Sequence, residues 1–244
     1  MALTAPAERR YKGLEGVESM RTIGIRATVI LAVISLGLAL STALLAGCGL
    51  GEWIGSGTAA TQTRHVAAFT SVDLAGSNVV TIQAGGKQSV VVHADANLLS
   101  RVTTQVHAGV LVIGTIGSFT TSSPMSVDVS VPSLKALTLS GSGNISAANI
   151  QAGTLTVTLS GSGVLRASGA VGRLDVSLGG SGDAQLQQLT ARDVHAALSG
   201  SGRILVDATH SLQASVPGSG AIMYGGNPAY VTKDISGSGA IVPD

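Results

Sequence analysis

Apolar residues recur at every second position in four short runs of the chain's second half: Leu155/Val157/Leu159, Leu174/Val176/Leu178, Val194/Ala196/Leu198 and Leu212/Ala214/Val216, with Leu137/Leu139 opening the series. A period of two is the signature of a strand with one buried face. Every run is followed by the same punctuation. Gly-Ser-Gly triplets begin at Gly141, Gly161, Gly180, Gly200, Gly218 and Gly237, at spacings of 20, 19, 20, 18 and 19 residues. A fixed period near twenty marks a solenoid. A leucine-rich repeat has a similar period but needs its own Leu/Asn frame and usually a helix per unit. Here Gly, Ser and Thr fill the rest of each unit, so no amphipathic helix fits. The pattern predicts an all-β chain, with a parallel β-helix over 136–244 in coils of about 19–20 residues. Coils stack about 4.8 Å apart, so the five steps between corners span roughly 24 Å.

The triplets are predicted to be the corners of the coils. Glycine there admits backbone conformations that side chains forbid. Ser142, Ser162, Ser181, Ser201, Ser219 and Ser238 are expected to form a hydroxyl ladder along the stack, since each can donate and accept. Lys233 is the exception among the inward positions. It falls between Val231 and Ile235, so the last coil reads as a cap or a frayed end.

Ahead of the repeat, 64–135 predicts a β-rich block. "NVVTIQAGGKQSVVVHAD" reads as strand-turn-strand, "LLSRVTTQVHAGVLVIGT" turns at Ala108-Gly109, and "MSVDVSVPSL" alternates Val127, Val129 and Val131 with polar residues until Pro132.

Composition sharpens this picture. Aromatic residues are only 2% of the chain and charged residues 11%, while glycine reaches 33 residues. The interior must therefore be built from Val, Leu, Ile and Ala, which suits thin stacked coils. Basic residues cluster early, at Arg9, Arg10, Lys12, Arg21 and Arg26. From position 48 onward 9 Lys+Arg face 10 Asp+Glu, a net of −1. No basic patch with interleaved aromatics exists, which argues against a nucleic-acid partner.

Residues 1–47 read as an export segment. Arg21 and Arg26 precede "ATVILAVISLGLALSTALLAG", an uncharged run with a small-residue exit, as in a secretory signal. The fit improves if translation starts at Met20. Leu45-Ala46-Gly47-Cys48 resembles the lipobox of bacterial lipoproteins. That resemblance implies cleavage before Cys48 and fatty acylation of it, palmitate being the usual chain type. The same run is long enough to span a membrane, so an uncleaved helix is the competing reading. Either one faces the remainder away from the cytoplasm. Residues 48–63, rich in Gly, Ser and Thr, read as a flexible tether.

Three longer elements together resemble one bacterial family, the auto-transporter adhesin head or GIN domain. They are "RHVAAFTSVDLAGSNVVTIQAGG", "VVVHADANLLSRVTTQVHAGVLVI" and "VSVPSLKALTLSGSGNI" with its repeated corners, together covering about Arg64 to Val242. The resemblance implies a right-handed β-helix, often behind a lipoprotein signal, and it carries over no catalytic residues.

The residues themselves point the same way. No GxxxxGK[ST] string cradles a phosphate, and no G-x-S-x-G elbow presents a nucleophile. Only Asp183 follows a Gly-Ser-Gly corner, unlike calcium-binding coils with an Asp in each unit. Histidines at 65, 93, 107, 195 and 210 lack metal-ligand spacing, so neither a metal nor a cofactor is expected. Asp175, His195 and Gln213 take outward positions on successive coils, and Arg166, Asp183, Arg203 and Asp207 lie beyond the corners. Tyr224 and Tyr230 flank the loop "GGNPA". Asp175, His195, Tyr224 and Tyr230 are thus the candidate ligand contacts, although capping the end of the helix is the favoured reading of the two tyrosines.

The sequence reads as a lipid-anchored, exported, non-catalytic, adhesin-like β-helix, joined to the membrane through Cys48 and facing a surface glycan or protein. A β-helical enzyme acting on polysaccharide is one alternative. A structural envelope protein that associates end to end through its open strand edges is the other.

Overall fold

A computed structural model describes residues 53–121 and 123–244, which belong to one compact unit. Cys48 and the export segment lie outside the described residues. The strands, in chain order, are β1 (Trp53–Ile54), β2 (Ala59–Thr63), β3 (Ser71–Leu74), β4 (Val79–Ala84), β5 (Ser89–Asp95), β6 (Val102–His107), β7 (Val110–Thr115), β8 (Phe119–Thr120) and β9 (Ser126–Val131). The repeat then supplies β10 (Ala136–Leu139), β11 (Asn144–Leu159), β12 (Val164–Leu178), β13 (Asp183–Leu198), β14 (Arg203–Val216), β15 (Ala221–Gly225), β16 (Tyr230–Ile235) and β17 (Ala240–Pro243). They form a β-solenoid of about 5 stacked parallel turns.

Each long strand turns through more than one side of a coil. On the first face the ladder runs β7–β3–β10 and continues through the carboxy-terminal arms of β11 to β14 to β16. On the second face it runs β9–β4 and through the amino-terminal arms of β11 to β14 to β15 and β17. The alternating sets stack in register: Leu155, Leu174, Val194 and Leu212 in one row, Leu139, Leu159, Leu178 and Leu198 in another. All eight are buried. The second face adds rows less visible in the sequence, such as Val80, Ile145, Leu165, Ala184, Ile204, Ile222 and Ile241.

The corners hold glycine for a different reason from the one the sequence suggested. Positive φ is found at Gly57, Gly85, Gly109, Gly117, Gly169 and Gly226, and at none of the triplet glycines. Close approach is what decides. A Cβ on Gly161 would overlap the Gly141 carbonyl, and one on Gly180 would overlap that of Gly161. In four of the six triplets, at Gly143, Gly163, Gly202 and Gly220, the second glycine also makes room for a core leucine. A Cβ on Gly163 would come 3.0 Å from Cδ2 of Leu139, and one on Gly202 3.1 Å from Cδ2 of Leu178. Backbone hydrogen bonds close the stack, as from the Gly182 amide to the Gly161 carbonyl (3.2 Å) and from Ser201 to Gly180 (3.2 Å). The expected hydroxyl ladder is not formed. The corner serines of the repeat are exposed, and among the described residues no hydrogen bond joins one to another.

The solenoid begins earlier than the repeat. β3 pairs with β10 and β4 with β11, so Leu74-Ala75-Gly76-Ser77-Asn78 forms a first corner beneath Leu139–Gly143. Between the arms of that coil and the repeat hang β5 to β9. There β5 pairs antiparallel with β2 and β9, and β6 antiparallel with β7. Antiparallel strands thus cover the amino-terminal end, where open parallel edges would invite foreign strands. The block 64–135 and the repeat share one sheet. The segment read as a tether likewise contributes β1, which pairs with β8, and β2, which pairs with β5. Its Thr61 and Thr63 are compatible with a strand, and an available partner edge overrides its flexible composition.

Candidate functional site

Outward side chains on the first face fall into rows because the register is unbroken from coil to coil. Thr156, Asp175, His195, Gln213 and Thr232 are aligned neighbours on five successive strands. Two residues on, Thr158, Ser177, Ala197, Ser215 and Asp234 form a parallel row. Small side chains in the second row leave a shallow groove of about 350 Å³, bordered by Asp175, His195, Gln213, Thr232 and Asp234.

A third row borders these two: Thr154, Arg173, Asp193, Ser211 and Tyr230. Arg173 Nε donates to both oxygens of Asp175, at 2.9 and 3.1 Å, fixing that carboxylate at the groove's edge. The Ser211 hydroxyl donates to Asp193 Oδ1 at 2.6 Å, and His210 Nδ1 lies 3.0 Å from the same oxygen. The Ser211 bond first, and His210 second, hold the Asp193 carboxyl below its ordinary pKa. Tyr230 is well exposed, and its ring tilts at 59° against His210 with centroids 5.5 Å apart. His195 and Gln213 make no side-chain hydrogen bond to another described residue, so their polar atoms are available at the groove.

The candidate contacts therefore divide. Asp175 and His195 meet in register on adjacent coils, and Tyr230 stands in the neighbouring row. Tyr224 is elsewhere. It pairs with Val206 on the second face and packs half-buried against the core. Lys233 Nζ sits 4.8 Å from the Tyr224 ring centroid and donates to the Ile241 carbonyl at 3.2 Å. Lys233 pairs with Ala214 in an inward row, so Tyr224 and Lys233 close the end of the core as a cap. The residues beyond the corners belong to the second face. There Arg203 grips Asp183 of the preceding coil, with Nη2–Oδ2 at 2.8 Å, and Arg166 borders a separate depression with Gln185, Gln187 and Gln188. Ser215, Thr232 and Asp234 were missed as groove residues. The signal that finds them is the repeat period itself, counted 18 or 19 residues on from Ala197, Gln213 and Ser215.

Asp175 and Asp234 stand at least three strand spacings apart, about 14 Å, whereas paired glycosidase carboxylates stand about 5–9.5 Å apart. The carboxyl on this face with a displaced pKa, Asp193, is lowered, opposite to what a general acid needs. Among the described residues no three His, Cys, Asp or Glu side chains converge as metal ligands.

Residues 68–228 match the family model described as "Putative auto-transporter adhesin, head GIN domain". No match is found among curated proteins. Among solved structures, the chain is similar to a putative adhesin from Bacteroides fragilis (TM-score 0.65, 20% identity, covering 78% of this chain and 99% of that one). A putative lipid binding protein from Parabacteroides distasonis is also similar (TM-score 0.54, 23% identity, 79% and 99% covered). So is a putative adhesin from the same organism (TM-score 0.53, 22% identity, 79% and 100% covered). At these identities the likeness concerns the fold.

Proposed function

The chain belongs to the auto-transporter adhesin head GIN domain family, and from that premise we propose that it is an exported, lipid-anchored, non-catalytic adhesin-like module whose first-face groove binds an extended glycan. The observation that carries the reading is the in-register polar row of Asp175, His195 and Gln213, in which His195 and Gln213 keep uncommitted donors and acceptors on rigid coils beside the Arg173-held Asp175 carboxylate. Tyr230, exposed beside it, offers an aromatic face of the kind sugars stack on. Fixed donors on strands lose little freedom on binding, so modest contacts suffice. Acylation of Cys48 supplies the membrane partner, and two or three acyl chains hold where one would not. The family name and the neighbours called adhesins support export and an interaction role.

A panel of bacterial and host glycans, presented to the soluble domain, tests the groove. Binding lost in Tyr230→Ala and in His195→Ala/Gln213→Ala, but retained in Arg166→Ala, is the expected result. Turnover of any glycan, or binding indifferent to the groove variants, overturns it. Mass spectrometry of the mature amino terminus tests the anchor independently, by cleavage after Gly47 and added acyl mass.

One observation favours a second role. β16 is exposed along its length, and Val231, Ile235 and Val242 leave apolar side chains at the carboxy-terminal end. Two copies that meet there satisfy one another's strand edges. Sedimentation that rises with concentration, and stops rising in Val231→Lys, supports that self-association.

A further inference from the structure

The strand pair β1–β8 stands apart from the main sheet and carries a group of exposed apolar side chains. Trp53 is 46% exposed, Ile54 73% and nearby Ile116 54%. Trp53 and Ile116 are both held beside Arg101, and Ile54 follows Trp53 in β1. Trp53 pairs with Phe119, and its amide donates to the Ser118 carbonyl at 3.2 Å. The Ile116 amide donates to the Arg101 carbonyl at 2.9 Å, and the Arg101 guanidinium lies 3.9 Å from the Trp53 ring centroid. Residues this apolar are seldom left grouped on a surface with nothing to meet. The groove is built from other rows, so its ligand is not what covers them.

We propose that Trp53, Ile54 and Ile116 form a docking surface for the interfacial zone of a phospholipid bilayer, with Arg101 facing the headgroup phosphates. The proposal rests on the reading of Cys48 as the acylated residue. Cys48 and Trp53 are five residues apart, a reach of at most about 18 Å for a fully extended chain. An anchor at Cys48 therefore keeps the patch at the bilayer surface at high effective concentration, where even a weak apolar contact is populated. The side-chain types suit that depth. Tryptophan concentrates at the level of the headgroups because its ring is apolar with one polar N–H. A guanidinium held over its face carries positive charge into the same layer, where anionic lipids attract it. A protein partner or a second copy would have no comparable tether bringing it to this place. The acyl chains supply the attachment, and the patch supplies the orientation.

The chain contains one tryptophan and one cysteine, which makes the test direct. The full chain is produced in a bacterial host, purified and reconstituted in phosphatidylethanolamine–phosphatidylglycerol vesicles, with and without lipids brominated part-way along the acyl chain. In parallel, a chain beginning at Cys48 is coupled through its thiol to maleimide lipid in the same vesicles. This second arm does not depend on what the cell does to Cys48. The expected result is a blue shift of Trp53 emission and a roughly twofold loss of intensity with brominated lipid in both arms, as for an interfacial ring. Ile54→Ser/Ile116→Ser, at two exposed positions, is expected to keep the circular dichroism of the parent and lose the quenching. Unquenched, iodide-accessible Trp53 in the coupled arm overturns the proposal, whatever the cell does to Cys48. Shielding of Trp53 in vesicle-free dimers also overturns it, because the occupant is then a second copy. If the cell-made chain lacks acyl mass, the anchor reading fails and the inference, which rests on it, falls as well.

Discussion

The repeat from β10 to β14 and the block from β5 to β9 share a sheet but are built on opposite principles. In the repeat each coil is a translated copy of its neighbour, all pairing is parallel, and the fit is set by backbone spacing at the corners. In the block the pairing is mixed, and the apolar filling includes Leu98 and Met125 beside β-branched side chains. Its neighbourhood also holds every buried side-chain polar atom that lacks a partner among the described residues: Arg64 Nε, Asn78 Nδ2, Asp95 Oδ1 and Arg101 Nε. Regularity lets the repeat do without buried polar groups, whereas a one-of-a-kind cap uses them to fix a single arrangement. The comparison therefore predicts different weak points: backbone crowding in the repeat, and polar satisfaction in the block.

The largest effect is expected from Gly161→Val. Its Cβ would overlap the Gly141 carbonyl, which is backbone and has little room to yield. Overpacking against backbone should exceed the usual 1–3 kcal/mol and reach about 4 kcal/mol. Chemical denaturation measures the loss, and hydrogen exchange should quicken first in β11 and β12. Gly153→Ala is the control. No atom lies within 4 Å of its Cβ and its φ is not positive, so the change should be close to neutral.

Next in size is Leu178→Ala. The side chain is fully buried, with its Cδ2 seated against Gly202. Truncation should cost about 2–5 kcal/mol. Paired with Gly202→Ala, the two changes should fall only slightly short of additive in a double-mutant cycle, because the new methyl meets the Gly182 carbonyl first and Leu178 Cδ2 only at 3.1 Å.

A smaller, pH-dependent effect belongs to the block. Hydrogen bonds from Thr121 first and Ser123 second hold the Asp95 carboxyl below its ordinary pKa, against the opposing effect of burial. The sign follows from proton binding: the unfolded chain binds the proton more tightly. The stabilisation is therefore complete above the unfolded pKa and is lost as pH falls through the lower folded one. Thr121→Val should raise the acid midpoint of unfolding, and exchange near β5 should quicken on acidification before exchange in β12. An unchanged midpoint would remove Asp95 from the account.

The smallest effect is expected from Ser162→Ala. Its side chain is exposed and makes no hydrogen bond to another corner serine, so stability should stay within about 0.5 kcal/mol of the parent. A loss as large as that of Leu178→Ala would restore the hydroxyl ladder.

How much of this was legible follows from what a period can carry. The inward rows of the first face and the corners after Leu139 could be read because translation repeats the same letters. Asp175 beside His195 followed from the same register. The first coil was hidden twice: Asn78 stands where later corners have their second glycine, and β5 to β9 interrupt the count. The glycines were found but misexplained, since a residue chosen for conformational freedom and one chosen for thinness are written with the same letter. Tyr224 and Tyr230, six residues apart, separated because the intervening loop carries the chain from the second face to the first. No local pattern announces that transfer. The pairing of Trp53 with Phe119 links segments too distant and too short for any periodicity to register.

The alternation of inward and outward positions has a consequence for how such a molecule changes over generations. The letters that hold the coils together, Leu174, Leu178 and the triplet glycines among them, are different letters from those that face the outside at Asp175, Ser177, His195 and Gln213. Selection on the exposed set leaves the hidden set untouched. A lineage can therefore rewrite what its surface displays one substitution at a time, while the frame that displays it stays fixed.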